Sequence, residues 1–146
     1  MQTDHSEGAV ILQAAAARTD NRSFRSILKK KLSDHWRPVI KDGVVSCEGC
    51  SWSADMHDSA GKASYRFIRH VAWLTATEMG IQGEGFGPAV AFLAESMQAH
   101  RPHRHPQGSH CLDSRCAGMV FTSANKASTH QCDAVVRVVA EAAAGR

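Results

Sequence analysis

Two close cysteine pairs constrain this chain more than any other feature: Cys47-x2-Cys50 in "SCEGCSW" and Cys111-x4-Cys116 in "HCLDSRC". Such spacings bend the backbone into a tight knuckle with both sulfurs on one side, so something must fold over each knuckle. A histidine precedes each pair, His35 by twelve positions and His100 by eleven. Another follows each pair within a helical pattern, at His70 and His130.

Two thiolates and two neutral imidazoles are a favoured tetrahedral ligand set for Zn2+, and their charge cancels that of the ion. The assignment is His35, Cys47, Cys50 and His70 for one ion, and His100, Cys111, Cys116 and His130 for a second. His57 is an alternative to His35, and His110 or Cys132 an alternative to His100. His103 and His105 read as solvated linker residues. Only 6% of the 146 residues are aromatic, so large rings alone would give a thin core. Structural zinc would compensate, since it contributes on the order of 10 kcal/mol or more to the folding of small peptides.

The hydrophobic pattern predicts helices over 8–18, over 19–35 with Thr19 or Asp20 as N-cap, over 62–79, from Pro88 to His100, and over about 124–143. Phe24, Ile27, Leu28 and Leu32 share one helical face, and Phe67, Ile68, Val71, Ala72 and Leu74 another. Between His35 and Cys50, Asp42-Gly43 suits a type I′ hairpin turn. That turn pairs Ile40 with Val45 and sets His35 opposite Cys50. Residues 53–61 read as a polar loop. "GIQGEGFG" reads as a Gly-rich linker.

The halves share an order of parts: helix, His, Gly turn, Cys pair, then "GKAS" or "NKAS" and a helix bearing His. His35 follows Leu32 by three, as His100 follows Met97. His70 lies eight beyond Lys62 but His130 only four beyond Lys126, a difference of about one helical turn. The expected fold is α+β and mostly helical: two tandem small zinc modules, each a helix, a β-hairpin with the Cys pair, and a closing helix. Residues 1–80 would hold the N-terminal helix and first module, and 81–146 the linker and second module.

"CEGCSW" with "RHVAWL", and "HCLDSRC" with "STHQCDAV", resemble small Cys/His modules of actinobacterial and actinobacteriophage proteins. The resemblance covers roughly residues 24 to 140. It implies the same eight ligands, with Trp52 as a packing aromatic. The second half departs from the pattern by lacking the Trp and by its wider Cys spacing. Fold and metal follow from it, and a phage origin would put the protein in the host cytoplasm.

Function classes narrow by exclusion. No run approaches the roughly 18 apolar residues of a membrane span. "MQTDHSEG" lacks a basic start leading into an apolar stretch, so export is not expected and the cytoplasm, where thiols stay reduced, is. His-x-Glu with Pro-Cys-x-x-Cys is absent, as is His-Glu-x-x-His, and the glycines of 80–87 carry no phosphate-loop Lys. No enzyme is expected. The leading expectation is a zinc-stabilised effector or adaptor that binds a host or cellular protein. The alternative is a nucleic-acid binder using Arg22, Arg25, Lys29, Lys30 and Lys31, consistent with a net charge of +3. The two-His helix of the familiar DNA-binding zinc finger is missing from both halves.

Overall fold

The computed structural model describes residues 7–19, 21–55, 60–116 and 119–145. Of the proposed caps, Asp20 lies outside the described set, as do the side chains of Thr19 and Arg22 and the whole of His57. Among the described residues, five α-helices and two small antiparallel sheets follow one another in a repeated order. Helix α1 (Glu7–Thr19) comes first. Helix α2 (Asn21–Asp34), strands β1 (Pro38–Lys41), β2 (Val44–Cys47) and β3 (Ser53–Asp55), and helix α3 (Ala60–Glu78) form the first module. Helix α4 (Phe86–Ala99), strands β4 (Pro102–His105), β5 (Gly108–Cys111) and β6 (Val120–Phe121), and helix α5 (Ala124–Ala144) form the second. This is the α+β, mostly helical arrangement of tandem modules that the sequence implies.

Each helix forms where apolar residues recur at helical spacing, and each buries that face. Ala9, Leu12, Ala15 and Ala16 of α1 are fully buried, and their small side chains let α1 pack closely on α4 and α5. Phe24, Leu28 and Leu32 line the buried side of α2, with Ile27 packed beside them. Phe67, Ile68, Val71 and Ala72 do the same on α3, whereas Leu74 is only half-buried. One continuous core joins all five helices and includes Val45 and Cys47 from the first sheet. A fully buried Leu or Phe in such a core contributes about 1.5–3 kcal/mol.

The first hairpin turns on Asp42 and Gly43, both with positive φ (52° and 73°), as a type I′ turn demands. Ile40 pairs with Val45, the register expected from that turn. The second hairpin repeats it, with Pro102 opposite Cys111 as Pro38 is opposite Cys47.

Three segments differ from expectation. Residues 53–55, read as loop, add β3 to the edge of β2, and Val120–Phe121 add β6 to β5. Such short strands form because the neighbouring edge offers free backbone groups, not because they carry an alternating pattern. The Gly-rich stretch is a packed corner. Gly80 turns with φ 79°, Ile81 is buried, Gly83–Gly85 form a 3-10 turn, and Phe86 meets Trp73 edge-on at 6.0 Å.

Candidate metal centres

The first centre is built at the end of α2. The His35 amide donates to the Lys31 carbonyl at 2.9 Å, carrying the helical hydrogen bonding one residue past the helix and fixing where the imidazole starts. At the far end of the hairpin the Cys47 amide donates to the Trp52 carbonyl at 3.1 Å, and the Cys50 amide to the Cys47 carbonyl at 3.5 Å. These bonds close the knuckle. Gly49 sits at its tip against the Asp34 carbonyl, where a Cβ would collide with the backbone.

Four donors meet there. His35 Nδ1 lies 3.2 Å from Cys47 Sγ, and His70 Nε2 lies 3.3 Å from Cys50 Sγ. The Trp52 ring stacks flat on His70, with centroids 4.5 Å apart and planes at 10°. The expected pairing of His35 with Cys50 needs correction. The ladder ends at Pro38–Cys47, and the knuckle then turns the chain, so Cys47 receives His35 and Cys50 faces α3.

The second centre follows the same plan at greater depth. His100, one residue beyond α4, is 1% exposed, and Cys111 and Cys116 are each 3% exposed. His100 Nδ1 lies 3.6 Å from Cys111 Sγ and 3.8 Å from Cys116 Sγ. The wider Cys spacing is taken up by a 3-10 turn, Ser114–Cys116, with the Cys116 amide donating to the Asp113 carbonyl at 2.9 Å. His130 comes from α5, which Ser123 caps by accepting from the Lys126 amide. Phe121 stacks on His130 at 4.8 Å and 29°, the place Trp52 takes in the first module. The second half therefore lacks the Trp but not the aromatic support.

The donor geometry fits a tetrahedral ion. Bond lengths ordinary for zinc, with tetrahedral angles, require about 3.5 Å between a bound sulfur and a bound nitrogen. The observed sulfur–nitrogen distances, from 3.2 to 3.8 Å, bracket that value. Within each group of four, the donor atoms all lie within 4.8 Å of one another. His130 Nε2 is buried without a hydrogen-bond partner, which a protein seldom tolerates and which a bound cation would resolve. Both groups, His35–Cys47–Cys50–His70 and His100–Cys111–Cys116–His130, could hold a metal ion.

Electrostatics agree with that use. Burial lowers the pKa of all four histidines, most at His70, which falls to about 4 with a further push from His35. The imidazoles are neutral at pH 7, with a lone pair to give. Burial raises the Cys47 and Cys111 thiols, a cost that a divalent cation would reverse. Asp113, which sequence reasoning passed over, places Oδ2 3.7 Å from His100 Nε2, the ring nitrogen turned away from the sulfurs. The Arg115 amide holds its Oδ1 at 2.9 Å and, with the nearby charges, keeps the carboxyl ionised below the usual carboxylate range. Its only sequence signal was an acid inside the wide Cys spacing.

The alternative ligands lie elsewhere. His110 pairs with His103 across the second hairpin and meets His105 edge-on, with ring centroids 5.0 Å apart. Cys132 is fully buried, its thiol donating to the Arg25 carbonyl at 3.4 Å. The basic side chains of α2 that the structure describes are engaged. Arg25 pairs with Asp133 at 2.6 Å, Lys30 with Asp34 at 3.1 Å and Lys31 with Glu78 at 2.6 Å, while Lys29 donates to Asn125 at 2.9 Å. No helix among the described residues is long and apolar enough to cross a membrane.

No protein-family model matches the chain, and neither a curated protein nor a solved structure matches it.

Proposed function

We propose that the chain is a non-enzymatic, zinc-stabilised binding module that docks on another protein in the cytoplasm, a host protein if the chain is phage-encoded. The observation that carries the metal reading is the sulfur–nitrogen spacing in both groups. Two sulfurs and two imidazoles in a tetrahedral arrangement suit zinc above harder cations. Four protein donors also leave no position for water or substrate, which separates a structural zinc from a catalytic one. The carboxylate nearest the first knuckle, Glu48, is bound to Arg37 at 2.6 Å. Thiolate ligands favour a reducing compartment.

A protein partner is supported by the first hairpin. Trp36, Val39 and Ile40 are 54%, 40% and 44% exposed within one short stretch, and the Arg37 guanidinium lies 4.5 Å over the Trp36 ring. Trp and Arg together dominate the energetics of protein interfaces. Elemental mass spectrometry on protein purified without chelator or His tag tests the metal: two zinc per chain are expected, and fewer overturn the reading. Capture of the same partner at low and high salt, lost in Trp36→Ser with zinc content intact, tests the surface.

A second reading, nucleic-acid binding, has one specific observation behind it. Trp52 and Trp73 line a shallow groove with Arg66 and Arg69, rings for base stacking beside cations for phosphate. Binding that falls steeply with salt would select it.

A further inference from the structure

Both modules line a cleft of about 340 Å³, and equivalent residues of the two halves contribute to it. Phe67, Ile68 and Val71 of α3 are matched by Ala127, Ser128 and Gln131 of α5, each pair separated in sequence as His70 is from His130. Pro38 and Pro102, which sit opposite Cys47 and Cys111, complete the match. The cleft is thus built from matched positions of the two halves, and its volume is at the small end of the range for ligand sites, about 300–1,000 Å³.

Divergence between the halves has made the walls unequal. The α3 side is apolar, with Phe67, Ile68 and Val71; the α5 side offers the Ser128 hydroxyl, and Gln131, whose amide is held by the Met97 carbonyl at 2.9 Å. Among the described residues no acid lines the cleft, and one arginine comes from each half. Arg37 already holds Glu48 at 2.6 Å, whereas Arg101 has no acidic partner among the described residues.

We propose that the cleft binds a small amphipathic carboxylate, its apolar body against Phe67, Ile68 and Val71 and its head on Arg101. An apolar wall gains from burying a hydrocarbon chain. A guanidinium without a carboxylate partner gives the planar, bidentate hydrogen bonding that a carboxylate accepts best. The cleft shares Trp36 and Arg37 with the proposed docking surface, but Arg101 and the apolar wall lie outside that surface, and binding there needs only the folded chain.

The probe is octanoate, added to zinc-loaded, nitrogen-15-labelled protein, with amide shifts recorded. Saturable binding below about 1 mM is expected, with shifts confined to the cleft, and octanol should bind at least about tenfold more weakly. Arg101→Gln should weaken octanoate at least about tenfold while leaving two zinc per chain, and Ser128→Phe, which fills the cleft, should abolish binding. Unsaturable shifts, shifts centred on Trp73, or equal affinity in Arg101→Gln would each overturn the proposal. Loss of zinc in Arg101→Gln would shift judgement to Ser128→Phe, whose unchanged affinity would also overturn it.

Discussion

Asp113 Oδ2 lies 3.7 Å from Nε2 of His100, whose Nδ1 faces the Cys111 and Cys116 sulfurs. The negative charge of a carboxylate beside the far nitrogen favours the proton there, the tautomer that leaves Nδ1 free to bind, and raises the basicity of that atom. The first centre has no such carboxylate among the described contacts of His35. Asp113→Asn should therefore weaken metal binding about 10- to 100-fold at the second centre alone. Chelator competition that resolves two steps would show it. An equal loss at both centres would contradict the assignment.

Gly49 fits beneath the Asp34 carbonyl only because it has no Cβ. Gly49→Ala should push the first knuckle away from α2, separate Cys47 from His35, and reduce the metal count from two to one. Gly43→Ala serves as control. Gly43 needs its positive φ but has open space, so the change should cost about 1 kcal/mol and leave both centres loaded. Elemental analysis with a urea melt distinguishes the two.

Acid should destabilise the metal-free chain in a defined window. His70 is held near 4 in the fold against 6.5 for a free imidazole, so the fold favours the neutral form. The unfolded chain binds more protons between those values. Stability is then fully present above pH 6.5 and is lost as pH falls toward 4. The urea midpoint should decline over that range, and less so in His70→Phe. With metal bound, the same protons compete with the ion, so release should run in the same direction.

An alkaline limb belongs to Cys132. Burial pushes this thiol up from 9.0 to about 11, so the fold favours the protonated form. Its contribution is present below pH 9 and disappears as pH rises through 9 to 11. Cys132→Val should flatten the stability profile there without changing the metal count, since the thiol meets the Arg25 carbonyl and neither centre. A thiol reagent at pH 7.5 should leave Cys132 untouched in the folded protein.

Local signals in the sequence carried the fold well. Asp42-Gly43 foretold a type I′ turn and, through it, the Ile40–Val45 register; the apolar spacing of Phe24, Leu28 and Leu32 foretold the buried face of α2. The His and Cys spacings marked the eight side chains that the fold gathers into two groups. What escaped depends on distant partners. Strands β3 and β6, three and two residues long, exist because β2 and β5 offer them an edge. The charges of Arg25 and Lys31 looked available because Asp133 and Glu78 lie far along the chain. Phe121 escaped because it reaches His130 from a strand beyond the knuckle, and Trp52 from the residue just before one. The matched "GKAS" and "NKAS" misled. Across the cleft, α3 and α5 align on their histidines, so the extra four residues after Lys62 are one more turn at the start of α3.

Unequal depth gives the two centres different clocks. Cys50 stands open to solvent, while His100, Cys111 and Cys116 are almost completely enclosed. An ion held at the first centre would be open to a chelator or an oxidant directly through that sulfur, so its exchange would follow the concentration of the reagent. At the second centre the reagent would have to wait for the protein to open, and once capture outpaces reclosing, exchange there would run at the rate of that opening.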